Sequence, residues 1–124
     1  MIVRAEHLNK WYGRVIALND VSVSMPPGIT GLLGPNGAGK TSFMRILIGL
    51  MRESAGSMQV LGERPWNNPK LAVRIGYCPE HDGFYEGMTG REFITSLARI
   101  RGVRDCAAAA KKAIEWVQIG RAHV

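Results

Sequence analysis

Residues 34–41, Gly-Pro-Asn-Gly-Ala-Gly-Lys-Thr, set three glycines, a lysine and a threonine at the spacing G-x-x-x-x-G-K-[ST]. That spacing suits one chemistry, the cradling of a phosphate chain. A loop wrapped around a phosphate must turn successive backbone N–H groups inward, which requires left-handed dihedrals and close approach of the main chain. Gly34, Gly37 and Gly39 allow both because they carry no Cβ. Lys40 adds a mobile positive charge for terminal phosphates, and the Thr41 hydroxyl is a hard oxygen suited to Mg²⁺.

Such a loop works only between a strand and a helix, whose free N–H groups and positive dipole end then face the anion. The sequence provides both contexts. Residues 29–33, Ile-Thr-Gly-Leu-Leu, form a short, nearly all-apolar run, which predicts a strand buried on both faces. From Thr41 to Leu50, Phe43, Ile46, Leu47 and Leu50 recur at helical spacing. Met44, Ile48 and Met51 cover a second side, which predicts a helix buried nearly all round. A glycine-rich turn that binds nothing would lack a reason for Lys40 and Thr41 at these places.

Around this centre, residues 3–7 alternate weakly as a strand and residues 9–13 read as a turn-rich break holding Trp11 and Tyr12. Residues 15–25 alternate, with Val21, Val23 and Met25 on one face and Ser22 and Ser24 on the other. Residues 57–61 and 75–78 are further strand candidates, and residues 64–71, with two prolines and two asparagines, read as loop. Thr89 lies three residues before Glu92, a capping-box start for a helix striped by Phe93, Leu97 and Ile100 and ended by Gly102. Asp105 can cap a second helix with Ala110, Ile114 and Val117 as its stripe. The expected fold class is α/β: a small antiparallel β part, the phosphate loop with its core helix, and the start of a helical subdomain.

The totals agree with one soluble globular unit. The 124 residues are 46 % hydrophobic and 21 % charged, too apolar for a disordered chain. No apolar stretch is long enough to span a bilayer, and the N-terminus has no signal-peptide pattern. The net charge of +6 is scattered, with Lys111-Lys112 the one adjacent basic pair, so no specific nucleic-acid role is expected. Cys78 and Cys106 make neither a metal spacing nor a disulfide framework.

In the form found at 34–41, the loop resembles that of the ATP-binding domains of ABC transporters. The opening Leu8-Asn-Lys-Trp-Tyr-Gly-Arg-Val-Ile-Ala-Leu-Asn-Asp-Val-Ser resembles that family's start, where an aromatic ring stacks on adenine. Tyr12 falls on that position, with Ala17 near the adenine edge. Residues 49–62 resemble the family's link from the loop helix to the next strand, and Ile75-Gly-Tyr-Cys-Pro-Glu the strand entering its glutamine loop. Here Glu80 stands where the family usually has Gln, a residue that contacts Mg²⁺ and the attacking water. The segment 80–92 is similar to some bacterial exporter ATPases.

The resemblance implies ATP and Mg²⁺ as cofactors. It assigns the nucleotide to Tyr12, Gly34, Pro35, Asn36, Gly37, Ala38, Gly39, Lys40, Thr41 and Ser42, and Mg²⁺ to Thr41 and Glu80. It implies a transmembrane permease and a second nucleotide-binding subunit as partners, on the cytoplasmic face of a membrane. It covers residues 1–117 and the first half of the family's domain. The Leu-Ser-Gly-Gly-Gln signature, the apolar strand ending in Asp-Glu and the switch histidine are not among the 124 residues, so no complete catalytic set is expected. Residues 1–118 read as a partial ATP-binding domain. Residues 119–124, Ile-Gly-Arg-Ala-His-Val, are what the sequencing-adapter stretch ATC GGA AGA GCA CAC GTC encodes, and read as a non-native tail. Two alternatives stay open: another phosphate-loop protein, such as a small kinase or GTPase, and a fragment that does not fold alone.

Overall fold

A computed structural model describes residues 1–81, 83 and 85–117. The tail at 119–124 lies outside these. Two compact units divide the chain, residues Met1–Tyr77 and the remainder from Cys78.

The first unit is built on an antiparallel sheet of β1 (Val3–Tyr12), β2 (Val15–Met25) and β3 (Ala55–Val60), in the order β2-β1-β3. β1 and β2 form a hairpin that turns at Gly13-Arg14. The valines of β2 fall on one face as the alternation predicts: Val21, Val23 and Met25 pack on the core while Ser22 and Ser24 are exposed. In β1 the alternation breaks. Ala5 pairs with Val23 and Leu8 with Val21, so Glu6 and His7 together oppose Ser22. This bulge puts His7 at φ 48° and carries Leu8, instead of His7, into the core. A second irregularity leaves Asp20 at φ 52°. The two sites brace each other: His7 Nδ1 lies 2.6 Å from Asp20 Oδ1, and Asp20 N–H donates to Asn9 Oδ1 at 2.9 Å. The turn-rich reading of residues 9–13 gives way to this longer strand.

Helix α1 (Lys40–Leu47) lays Phe43 and Ile46 against Val3, Ala5, Leu8, Leu18, Met58 and Val60. Burying a side chain of that size contributes about 1.5–3 kcal/mol. The helix is buried on this side alone, and Met44 on the other is exposed, which corrects the all-round burial. It ends earlier than expected, because Gly49 takes φ 77°. Beyond it, the Glu53 carboxylate, nearly buried, is paired by Arg64. Within the stretch read as loop, α2 (Pro69–Ala72) forms one turn capped by Asn68, whose side chain accepts from Leu71 N–H at 3.0 Å, and buries Leu71.

The run at 29–33 is not a strand: Ile29 and Leu33 are fully exposed, at 106 % and 94 %. A strand buried on both faces needs a neighbour on each edge to complete its ladder. Among the described residues no strand runs beside this one. Residues 75–78 stay irregular for the same reason. No described helix is long and apolar enough to cross a membrane.

The second unit holds α3 (Gly90–Ile100) and α4 (Cys106–Trp116), packed together. The capping box forms as expected: Thr89 N–H donates to Glu92 Oε2 at 2.8 Å and Glu92 N–H to Thr89 Oγ1 at 3.2 Å. Asp105 caps α4 through Ala108 N–H at 3.0 Å, and Ala110 is buried. The apolar stripes are only partly covered: Leu97, Ile100 and Val117 are exposed.

The backbone N–H of Thr89, and then its hydroxyl, hold the Glu92 carboxyl below its ordinary value of 4.5. Its folded pKa is the lower one, so its contribution to α3 is full above 4.5 and is lost as pH falls through the folded value. Carbon-detected NMR titration should place the Glu92 midpoint below 4.5, moving part of the way back in Thr89→Ala. A midpoint at or above 4.5 would show that the box does not close in solution.

Candidate functional site

The loop at 34–39 leads directly into α1. Ala38 N–H donates to Pro35 C=O at 3.2 Å, closing a tight turn over Asn36-Gly37. Gly37 takes φ 84° and Gly39 φ 87°, left-handed conformations that cost a residue with a Cβ about 1 kcal/mol or more. Gly34 is not left-handed. Its role is close approach, since a Cβ there would lie 3.3 Å from Ala38 Cβ. Gly39 meets both conditions. A Cβ on it would come within 2.3 Å of the Ala17 carbonyl oxygen and 2.8 Å of Leu18 Cδ2. The start of α1 is therefore seated against β2 at a separation that only glycine permits.

Gly39 is the N-cap of α1 and supplies no side-chain cap, and the first turn carries no acidic residue. An α-helix leaves its first N–H groups without internal partners. Here they form a set of donors with no protein anion among them, at the positive end of the helix dipole. Lys40 adds to this set. Its ammonium donates to the Pro35 carbonyl at 2.7 Å and to the Gly34 carbonyl. An ammonium has three protons, so one remains for an incoming acceptor. Donors alone, without carboxylates, fit a polyphosphate.

Thr41 is exposed on the first turn of α1. The Ser42 hydroxyl beside it is engaged, 3.1 Å from Tyr12 Oη. Tyr12 closes the hairpin end of β1 with its ring partly exposed, and its hydroxyl also donates to Met51 Sδ at 2.9 Å. Lys10 Nζ lies 5.4 Å from the ring centroid and donates to the Arg52 carbonyl at 2.8 Å. The structure thus brings Tyr12 to the first turn of the loop helix, thirty residues away in sequence. Trp11, on the neighbouring position, pairs with Ile16 across the hairpin, and its backbone N–H donates to Ser54 Oγ at 3.0 Å. Sequence reading missed Lys10 and Met51 around Tyr12 and the Ala17–Leu18 seat under Gly39. Met51 and the Ala17–Leu18 seat are joined to the site only by the tertiary fold, whereas Lys10 stands two residues before Tyr12 on the same strand.

An open apolar cleft of about 240 Å³ lies beside the loop, lined by Leu18, Val21, Val23, Leu33 and Phe43 with Lys40 at its edge. Its walls offer carbon surface, so it is distinct in chemistry from the N–H donors. Glu80 is exposed and belongs to the second unit. No cluster of three or more metal-ligating side chains occurs among the described residues.

The sequence model of the ABC transporter family matches residues 18–123. The chain belongs to that family. The bacitracin transport ATP-binding protein BcrA of Bacillus licheniformis is 36 % identical over 104 residues, covering 82 % of this chain and 34 % of that protein. The human phospholipid-transporting ATPase ABCA7 is 42 % identical over 92 residues, covering 73 % of this chain and 4 % of that one. The solved structure of an ATP-binding subunit of an ABC transporter superposes with a TM-score of 0.67 at 26 % identity, over 85 % of this chain and 45 % of that one. This family member therefore spans about a third of the length of the bacitracin protein. Its relatives come from bacteria, plants and mammals, so the likeness singles out no branch. Part of an α/β ATP-binding cassette, a class of domain that binds nucleotide, is what the family match and the solved neighbour show. The kinase and GTPase alternatives fall with it.

The Gly39 seat makes a specific prediction for stability. Gly37→Ala adds a Cβ in open space and should cost only its dihedral strain, about 1 kcal/mol. Gly39→Ala adds the collision with Ala17 and Leu18 and should cost at least 1 kcal/mol more, read by urea unfolding. Equal losses in the two variants would contradict the close approach.

Proposed function

We propose that this chain supplies the ATP-holding part of a transporter subunit, taking ATP as its Mg²⁺ complex to energise movement of a substrate across a membrane. The uncapped, carboxylate-free N-terminus of α1 with Lys40 beside it is the observation that carries this reading. The backbone of Gly34, Pro35, Asn36, Gly37, Ala38 and Gly39 curves around the phosphates, and Lys40 meets the terminal ones with its remaining proton. Thr41, exposed on the first turn of α1 at the Ser/Thr position of the motif, is the Mg²⁺ ligand. Mg²⁺, when bound, offsets phosphate charge at that oxygen. Glu80 enters as a second Mg²⁺ contact through the sequence resemblance alone.

Tyr12 is the base platform. A flat, half-exposed ring beside the first turn of α1 can take an adenine by stacking, which needs no polar match. The partners in this reading are a membrane-embedded permease subunit and a second nucleotide-binding subunit, which hold the protein at the cytoplasmic face of a membrane. The matching proteins named for bacitracin and phospholipid transport differ in what they move, so no substrate is assigned.

ATP binding measured by calorimetry should be lost far more in Lys40→Ala than in Arg45→Ala, because Arg45 lies beyond the first turn. Tyr12→Ala should weaken ATP and leave inorganic triphosphate almost unchanged; equal losses for both ligands would sink the stacking role. Hydrolysis is a separate matter. Positioning and charge stabilisation supply most of phosphoryl transfer, and among the described residues no carboxylate stands in the first turn of α1 to orient the attacking water. Steady-state phosphate release should stay well below about 1 s⁻¹. A Mg²⁺-dependent rate at or above that level, abolished by Lys40→Ala, would reveal a base in this chain.

A further inference from the structure

The phenol of Tyr12 has one proton, and its two partners determine where it goes. A thioether sulfur carries no hydrogen and can only accept. Met51 Sδ at 2.9 Å therefore accepts the hydrogen bond from the Tyr12 hydroxyl, and Ser42, at 3.1 Å, must be the donor to the Tyr12 oxygen. The result is a directed chain, Ser42 to Tyr12 to Met51, running from the first turn of α1 through the ring to the segment after the helix.

We propose that Met51 and Ser42 are positioning residues for the nucleobase: they fix the plane of the Tyr12 ring through its hydroxyl. This rests on the reading of Tyr12 as the base platform. A tyrosine ring at a hairpin end is free to rotate about two side-chain bonds, and a stacked base loses affinity when its platform must be ordered on binding. Two hydrogen bonds at the far end of the ring supply that order beforehand. Lys10 strengthens the arrangement, because its ammonium reaches both the Tyr12 ring and the Arg52 carbonyl next to Met51. The same chain ties base to phosphate. Ser42 adjoins Thr41, and its single proton is committed to Tyr12 while the chain is closed. Disturbing Met51, which adjoins neither the phosphate loop nor β1 in sequence, is then felt at the base.

The test compares ATP with inorganic triphosphate on the whole 124-residue chain, each variant first matched to the parent by far-ultraviolet circular dichroism. Tyr12→Phe keeps the stacking area and removes the hydroxyl. Met51→Leu keeps the volume and removes the acceptor. Each should weaken ATP about three- to tenfold, the range of one or two net hydrogen bonds. The pair together should lose no more than either alone, because both break one chain. Triphosphate binding should stay within about twofold of the parent, since its contacts lie elsewhere. Met51→Gln returns an acceptor oxygen near the sulfur position and should bind ATP like the parent. If Met51→Leu does not fold, the contrast of Tyr12→Phe with Met51→Gln carries the test. Parent-like ATP binding in Tyr12→Phe overturns the proposal, as do losses that multiply in the pair or Met51→Gln losing as much as Met51→Leu. Tyr12→Ala separates the two layers. If it weakens ATP while Tyr12→Phe and Met51→Leu do not, the positioning chain is wrong and the platform stands. If Tyr12→Ala binds ATP like the parent, or the parent binds none, the platform reading fails and the proposal with it.

Discussion

The contact between the backbone of Gly39 and the Ala17 carbonyl sets where everything else in the first unit can lie. It joins the loop at 34–39 to β2 at a distance that admits no side chain. From that point α1 departs across the sheet, so Phe43 and Ile46 reach the apolar face made by Val3, Ala5, Leu8, Leu18 and Met58. The same seat fixes the direction of the helix's free N–H groups. A site made of backbone donors has no side-chain adjustment to correct a misplaced helix, so its accuracy depends on this packing. The core therefore aims the donors as well as stabilising the fold.

Charge follows from the same arrangement. The first turn of α1 contains no carboxylate and no capping side chain, which leaves partial positive charge at its end. Lys40 is drawn back onto the Gly34 and Pro35 carbonyls, which shapes the loop and leaves one ammonium proton. Tyr12, Ser42 and Met51 tie the hairpin end to the first turn of α1 and to the segment after it. In the proposed reading the base platform on β1 and the phosphate donors of α1 are tied through this one short helix, so a change in its tilt would move both.

The site was legible in the sequence where its chemistry is local. The loop at 34–41 announces itself because backbone geometry demands glycine at particular spacings, and the Thr89–Glu92 box because two orphan N–H groups need two oxygens three residues apart. Tyr12 enters as a candidate by resemblance, since a lone aromatic at a turn carries no signal of its own. The failures share a different cause. Residues 29–33 and 75–78 have strand composition, but a buried strand is made by its neighbours, and the described chain gives them none. Strict alternation from Val3 and Ala5 would carry His7 to the core face, and a bulge puts Leu8 there instead. Met51 was unreadable because its tie to Tyr12 exists only after β1 and the segment beyond α1 have packed.

The central claim is that backbone N–H groups of the loop and first turn receive the phosphates. Amide-resolved NMR of the ¹⁵N-labelled chain, titrated with Mg²⁺ and ATP, addresses it directly. The account predicts large saturable downfield shifts at Gly37, Gly39, Lys40 and Thr41, with Gly62, at the β3 turn, unmoved. Saturable ATP binding that leaves the amides of 37–41 in place and shifts others instead would contradict it.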